Sequence, residues 1–238
     1  MKSLDTLKVK IFADGADKNG MLEMYEKQYI KGLTTNPTLM KMAGITDYRA
    51  FCKDILTHIK DKPLSFEVFS DDFTEMERQA MEIASWGDNV YVKIPVSNTK
   101  QEPCFELVNK LSAQKVKLNV TAMMTLTQVR EVITALTPDV PSYVSVFAGR
   151  IADTGRDPIP LMSAALELCS LAPNVELIWA SPRELLNIFQ ADAIGCHIIT
   201  VSNNILNKLK LVGKDLDEFS IDTVKMFHED ACKANYVL

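Results

Sequence analysis

The sequence predicts an α/β fold, a single (β/α)8 barrel with an additional C-terminal amphipathic helix. Three observations carry this. Eight short β-branched runs recur about 20 to 33 residues apart, each followed by a longer amphipathic stretch. The runs are continuously apolar rather than alternating, which argues for parallel strands covered by helices. A count of eight selects a closed barrel over an open doubly wound sheet, which more often has about five or six strands. No G-x-G-x-x-G follows the first run, so a dinucleotide-binding sheet is disfavoured.

The predicted strands, in order, are Lys8–Ala13, Lys31–Thr35, Leu64–Phe69, Val90–Val96, Lys117–Met123, Tyr143–Gly149, Glu176–Ala180 and His197–Val201. Between them lie segments with helical spacing and punctuation. Asp71-Asp72 opens one in which Phe73, Met76, Ala80 and Ile83-Ala84 share a face, ended by Gly87. Thr125 is placed to cap a helix carrying Leu126, Val129, Val132-Ile133 and Leu136, with Pro138 after it. Asp157-Pro158 opens a third, with Leu161, Ala165, Leu168 and Leu171-Ala172 inward and Pro173 closing it. No Pro-, Gly- or Ser-rich linker divides the eight units, so residues 1–238 read as one barrel domain with 217–238 as a helical tail. The tail's apolar residues (Phe219, Val224, Phe227, Ala231) are free to cap the barrel or to dock on a neighbouring subunit.

Composition bounds the partners. Of 238 residues 47% are hydrophobic and 24% charged, and mean hydropathy is +0.01, which excludes bulk disorder. No stretch approaches the ~18 uncharged apolar residues of a membrane span. The opening Met1–Gly15 carries acids and lysines where a secretory signal has its apolar core. A net charge of -5 disfavours nucleic acid and membrane as partners. Five cysteines, odd in number and without a CxxC pair, read as reduced thiols of a cytoplasmic protein, four of them among apolar neighbours.

In such a barrel the chemistry sits at the C-terminal ends of the strands. Asp14, Thr34-Thr35-Asn36, Glu67, Lys93, Asn119 and Thr121, Ser145 with Arg150, Ser181 with Arg183, and Thr200 with Ser202 all fall there. Charged side chains are seldom buried without a partner or a purpose. Lys93 stands inside the apolar run Val90–Pro95. Desolvation favours a neutral amine, which is a nucleophile towards a carbonyl. The other reading is an ion pair with Glu67 or Asp14, or a chain that snorkels out at the strand end. Arg150 and Arg183 follow strands six and seven, where barrels commonly bind phosphate, and the Ser181 hydroxyl adds a donor. Each arginine equally suits a rim salt bridge with Asp153, Asp157 or Glu184. Asn119-Val120-Thr121 matches a glycosylation pattern but lies in a predicted buried strand. His58, His197 and His228 are scattered singly, offering neither a metal site nor a catalytic triad.

Taken in order, these segments resemble the transaldolase family, including its short bacterial members and the related fructose-6-phosphate aldolases. The residues that carry the resemblance are Phe12–Asp17, Thr34-Thr35-Asn36-Pro37, Val92-Lys93-Ile94-Pro95, Asn119-Val120-Thr121, Ser145–Arg150 and Ala180–Arg183. The resemblance implies a TIM-barrel transferase of pentose-phosphate carbohydrate metabolism. It would move a dihydroxyacetone unit between sugar phosphates by a class I Schiff-base mechanism without metal or cofactor. It implies Lys93 as the Schiff-base lysine and Asp14 as an acid/base group. A catalytic water would be held by Thr121 with Glu67. Asn36 and Ser145 would bind the three-carbon unit, with Thr35, Asn119 and Phe147 around them. Arg150, Ser181 and Arg183 would bind phosphate. Sedoheptulose 7-phosphate and fructose 6-phosphate are the implied donors, erythrose 4-phosphate and glyceraldehyde 3-phosphate the acceptors. Glu67 and Phe147 are as in transaldolases, whereas the fructose-6-phosphate aldolase branch tends to carry Gln and Tyr there. The alternatives are a lyase of that branch, releasing dihydroxyacetone, and a non-catalytic sugar-phosphate-binding barrel. Short members also imply a homo-oligomer, such as a pentamer or decamer.

Overall fold

The computed structural model describes residues 6–236; the first five residues and the last two of the 217–238 tail lie outside them. In chain order the elements are β1 (Lys10–Asp14), α1 (Lys18–Glu26), β2 (Ile30–Thr34), α2 (Pro37–Met42), α3 (Tyr48–His58), β3 (Leu64–Glu67) and α4 (Phe73–Ala84). Then follow β4 (Val90–Pro95), α5 (Phe105–Ala113), β5 (Leu118–Met123), α6 (Leu126–Ala135), β6 (Ser142–Val146), α7 (Ala148–Ala152) and α8 (Ile159–Cys169). The last are β7 (Val175–Trp179), α9 (Leu186–Ala193), β8 (Ile198–Ser202), α10 (Asn203–Leu206) with a 3-10 turn Asn207–Leu211, and α11 (Leu216–Ala234). The eight strands close in sequence order, each parallel to its neighbours, with β8 returning to β1. The expected (β/α)8 barrel is the observed architecture.

Local chemistry starts the helices. Asp17, Asn36, Asp47, Asp72 and Thr125 each accept a backbone N–H of the first turn, and Thr125 forms a capping box with Gln128. The main core lies between sheet and helices, built from outward-facing strand residues such as Leu33, Phe66, Val92, Val120 and Val144. A second, smaller core fills the barrel itself: Phe12, Tyr91, Tyr143, Ile178 and Ile198. Tyr91 and Tyr143 stack with ring centroids 4.1 Å apart, and Phe12 meets Tyr143 edge-on at 5.8 Å. Gly32 makes room for this floor, since a Cβ there would lie 2.5 Å from the Phe12 ring.

Three expectations are corrected. The sixth strand ends at Val146 rather than Gly149, because Ala148 and Gly149 begin α7. Phe147-Ala148-Gly149 continues the apolar run without continuing the ladder. In α8 the buried face is Met162, Ala165 and Cys169, while Leu171 is 78% exposed. The helix ends at Cys169, so Leu171 lies beyond it, and the segment is apolar nearly all round, which blurs its period. The third strand stops at Glu67, two residues short of Phe69. The amphipathic tail forms α11 as expected but buries no residue; Phe219, Val224 and Phe227 stay exposed, so the barrel does not cover that face. Cys52, Cys104, Cys169 and Cys196 are free and buried, and Cys232 is exposed. Among the described residues no helix is long and apolar enough to cross a membrane.

Candidate active site

Side chains alternate along a strand, so two residues beyond each floor residue another points into the barrel. That step places Asp14 above Phe12, Thr34 above Gly32, Lys93 above Tyr91, Ser145 above Tyr143 and Thr200 above Ile198. All five line a cavity of about 460 Å³ at the C-terminal ends of the strands, with Asn36, Glu67, Asn119, Thr121, Phe147, Arg150 and Ser181. The closed sheet thus turns residues far apart in sequence into one polar layer over an aromatic floor.

Lys93 is buried, with 6% exposure. Its Nζ lies 3.0 Å from Glu67 Oε2 and donates to the Thr35 carbonyl at 2.8 Å. The ion pair that the sequence left open is therefore formed, with Glu67 as the partner. Register explains it: Glu67 and Lys93 are paired neighbours on β3 and β4. Asp14 accepts from Thr34 Oγ1 at 2.7 Å, and Thr34 Oγ1 meets Thr200 Oγ1 at 2.5 Å, a chain of hydroxyls ending on the carboxylate. Burial holds the Asp14 carboxyl above its ordinary range; Lys93 and the Thr34 hydroxyl oppose this, and Glu67 adds to it.

Asn119 joins two serines: Nδ2 donates to Ser65 Oγ at 3.0 Å, and Oδ1 accepts from Ser145 Oγ at 2.7 Å. It is fully buried, and the glycosylation pattern is closed off with it. Thr121 Oγ1 is buried and has no hydrogen-bond partner within the protein, a costly state for a hydroxyl that faces nothing polar. Asn36 caps α2 through Oδ1, 3.0 Å from the Leu39 N–H, while its residue lines the cavity. Thr35 is buried, with Oγ1 on the Ser65 carbonyl, and reaches the site through its backbone rather than its side chain.

The two arginines differ. Arg150, in α7, lines the cavity with its guanidinium carbon 6.0 Å from the Phe147 ring centroid. Arg183 lies outside the cavity lining and pairs with Asp153, Nε donating to Oδ1 at 3.0 Å. Ser181 lines the cavity with φ of 60°, and Ala122 does so with φ of 63°. Left-handed conformations are unfavourable for residues with a Cβ and cluster at functional sites. Nothing in the sequence marks Ala122, because an alanine carries no chemical signal; it sits where the β5–β6 register shifts between Val120 and Met123. Thr34 and Thr200 fell among the strand-end polar residues but without a role; their bond to Asp14 supplies one. Among the described residues no group of three His, Cys, Asp or Glu side chains is placed to hold a metal ion. His197 is structural: its Nδ1 accepts the Leu177 N–H at 2.9 Å, tying β7 to the start of β8.

A family described as Transaldolase/Fructose-6-phosphate aldolase matches residues 11–236. A protein of Thermoanaerobacter named "Probable transaldolase" is 33% identical over 227 residues, 95% of this chain and 98% of that one. Proteins of the same name from Dehalococcoides mccartyi (32% over 202 residues; 84% and 90%) and Methanococcus maripaludis (33% over 218; 90% and 97%) are similar too.

Proposed function

Because the chain belongs to the transaldolase/fructose-6-phosphate aldolase family, we propose that it transfers a three-carbon ketose fragment between sugar phosphates through a Schiff base on Lys93. The observation that carries this reading is the buried Lys93 in contact with Glu67, in one cavity with Asp14. A buried amine beside a carboxylate has a proton acceptor at hand, which is what a nucleophilic lysine requires. Glu67 takes the ammonium proton, and Lys93 Nζ adds to the C2 carbonyl of a ketose phosphate such as fructose 6-phosphate. The carbinolamine loses water, with Glu67 and a water held by the otherwise unpartnered Thr121 hydroxyl moving the protons. Asp14 then takes the proton of the C4 hydroxyl, the C3–C4 bond breaks and an aldose phosphate leaves. The electron pair stays as an enamine on Lys93. Its burial supports a carboxyl able both to take and to return that proton. The enamine attacks the aldehyde of an acceptor such as erythrose 4-phosphate, and hydrolysis frees Lys93.

Ser145, fixed by Asn119, and the Asn36 amide bind the hydroxyls of the three-carbon unit. Arg150 meets the phosphate, with Ser181 beside it and Arg183 at the rim, held by Asp153. The apolar Phe147 offers the enamine no proton, which favours transfer over release of dihydroxyacetone. The exposed apolar face of α11 supports association of copies of the chain into a homo-oligomer. The test is a transfer assay. With fructose 6-phosphate and erythrose 4-phosphate together the protein forms sedoheptulose 7-phosphate by ping-pong kinetics. Free dihydroxyacetone formed equally fast without acceptor assigns the lyase instead, and no turnover with either leaves a sugar-phosphate-binding barrel.

A further inference from the structure

We propose that Tyr48, the first residue of α3, is a positioning residue that holds Glu67 against Lys93 in the Schiff-base reaction, an assignment that rests on that reading of the site. The evidence is a missing rung in the β-ladder. Leu33 N–H donates to the Pro63 carbonyl and Thr35 N–H to the Ser65 carbonyl, so parallel pairing would next join the Glu67 N–H to the Thr35 carbonyl. That rung is absent. Lys93 Nζ occupies the Thr35 carbonyl, and the Glu67 N–H donates instead to Tyr48 Oη at 2.9 Å.

The same phenol donates to the Glu67 carbonyl at 2.8 Å, so one hydroxyl grips both polar groups of that residue's backbone. The Lys93 ammonium thus enters the sheet by displacing a backbone donor, and Tyr48 takes up the donor it displaces. Without that hydroxyl a half-buried N–H at the end of β3 loses its partner, and the strand end bearing the carboxylate is free to drift. The phenol is itself held in place. Asp47 caps α3 beneath it, and its ring meets Phe69 edge-on at 5.4 Å and Trp86 at 6.4 Å. Burial keeps its hydroxyl protonated across the working pH range, so it remains a donor. Tyr48 lies outside the cavity lining and acts only through Glu67.

The experiment measures how fast borohydride-trappable adduct forms on Lys93 with fructose 6-phosphate, in the unmutated protein, Tyr48→Phe, Glu67→Gln and the double variant. Tyr48→Phe keeps the ring and removes only the hydroxyl. It should slow adduct formation about tenfold or more, since small misplacements of a reacting group carry such costs, while half-saturation by the sugar changes less than twofold. In the Glu67→Gln background the same change should add less than twofold. Equal slowing by Tyr48→Phe in both backgrounds, or an unchanged rate in Tyr48→Phe, overturns the positioning role alone. No adduct in the unmutated protein overturns the Schiff-base reading and, with it, this role.

Discussion

Gly149→Ala is the sharpest perturbation the fold offers. A Cβ at Gly149 would lie 1.6 Å from the Ser181 carbonyl oxygen and 2.7 Å from its carbon, backbone atoms that cannot swing aside. To reach the 3.0 Å that real Cβ contacts keep, α7 and the Ser181 segment must part by about 1.4 Å. Both segments line the end of the cavity proposed above to take the phosphate, through Arg150 on one side and Ser181 on the other. Overpacking of this kind costs about 1–3 kcal/mol, which for a chain of this length lowers the melting temperature by about 2–12 °C. Misplacement by about 1 Å costs a reaction about a hundredfold. Scanning calorimetry and the coupled transfer assay, with fructose 6-phosphate and with fructose, measure both effects. We expect kcat/KM for the phosphorylated donor to fall about a hundredfold and that for fructose to fall far less. Gly15→Ala is the control, since nothing lies within 4 Å of a Cβ there. A Gly149→Ala protein that melts at the parental temperature and turns over fructose 6-phosphate within twofold of it would show that α7 and the Ser181 segment part without cost.

Burial raises the Asp14 carboxyl, so ionising it opposes folding: the penalty is absent well below the ordinary value of 3.8 and complete above the raised one. Asp14→Asn should therefore melt higher than the parent at pH 7–8, lose that advantage as the pH is lowered towards 3.8, and have almost no transfer activity; a lower melting temperature at pH 8 counts against the burial argument. Arg150→Ala should raise KM for fructose 6-phosphate about tenfold or more and leave that for fructose nearly unchanged, since a hydrogen bond to a charged group contributes about 1.5–3 kcal/mol. Arg183→Ala, whose guanidinium is paired with Asp153, should act more weakly; the reverse order would move the phosphate to the rim. Phe147→Tyr should increase dihydroxyacetone release from fructose 6-phosphate without acceptor and lower transfer, as followed by a coupled reductase; unchanged partitioning would remove Phe147 from the control of water.

The barrel was legible because its signals are redundant. Eight β-branched runs and the capping residues Asp72 and Thr125 mark boundaries independently of one another, and pleat parity then carries Asp14, Lys93, Ser145 and Thr200 to one end. What the sequence hid has physical reasons. Leucine spacing did not fix the buried face of α8, because that helix is apolar on nearly every side. Phe147-Ala148-Gly149 reads as strand because apolarity does not reveal a turn made for close approach to Ser181. Arg183 chose between cavity and rim through the placement of Asp153, a pairing between loops that composition cannot specify. The Thr35 carbonyl that receives Lys93, and the Glu67 peptide held by Tyr48, are backbone groups identical in every residue type and so leave no trace in the sequence.

The proposed Schiff base requires that Lys93 become covalently bound to the substrate. Borohydride reduction in the presence of fructose 6-phosphate, followed by peptide mass mapping, measures that bond. The peptide containing Lys93 should gain the mass of one three-carbon fragment, a gain absent in Lys93→Met. A fragment carried by any other lysine, or a chain that stays unmodified while it turns over substrate, would contradict it.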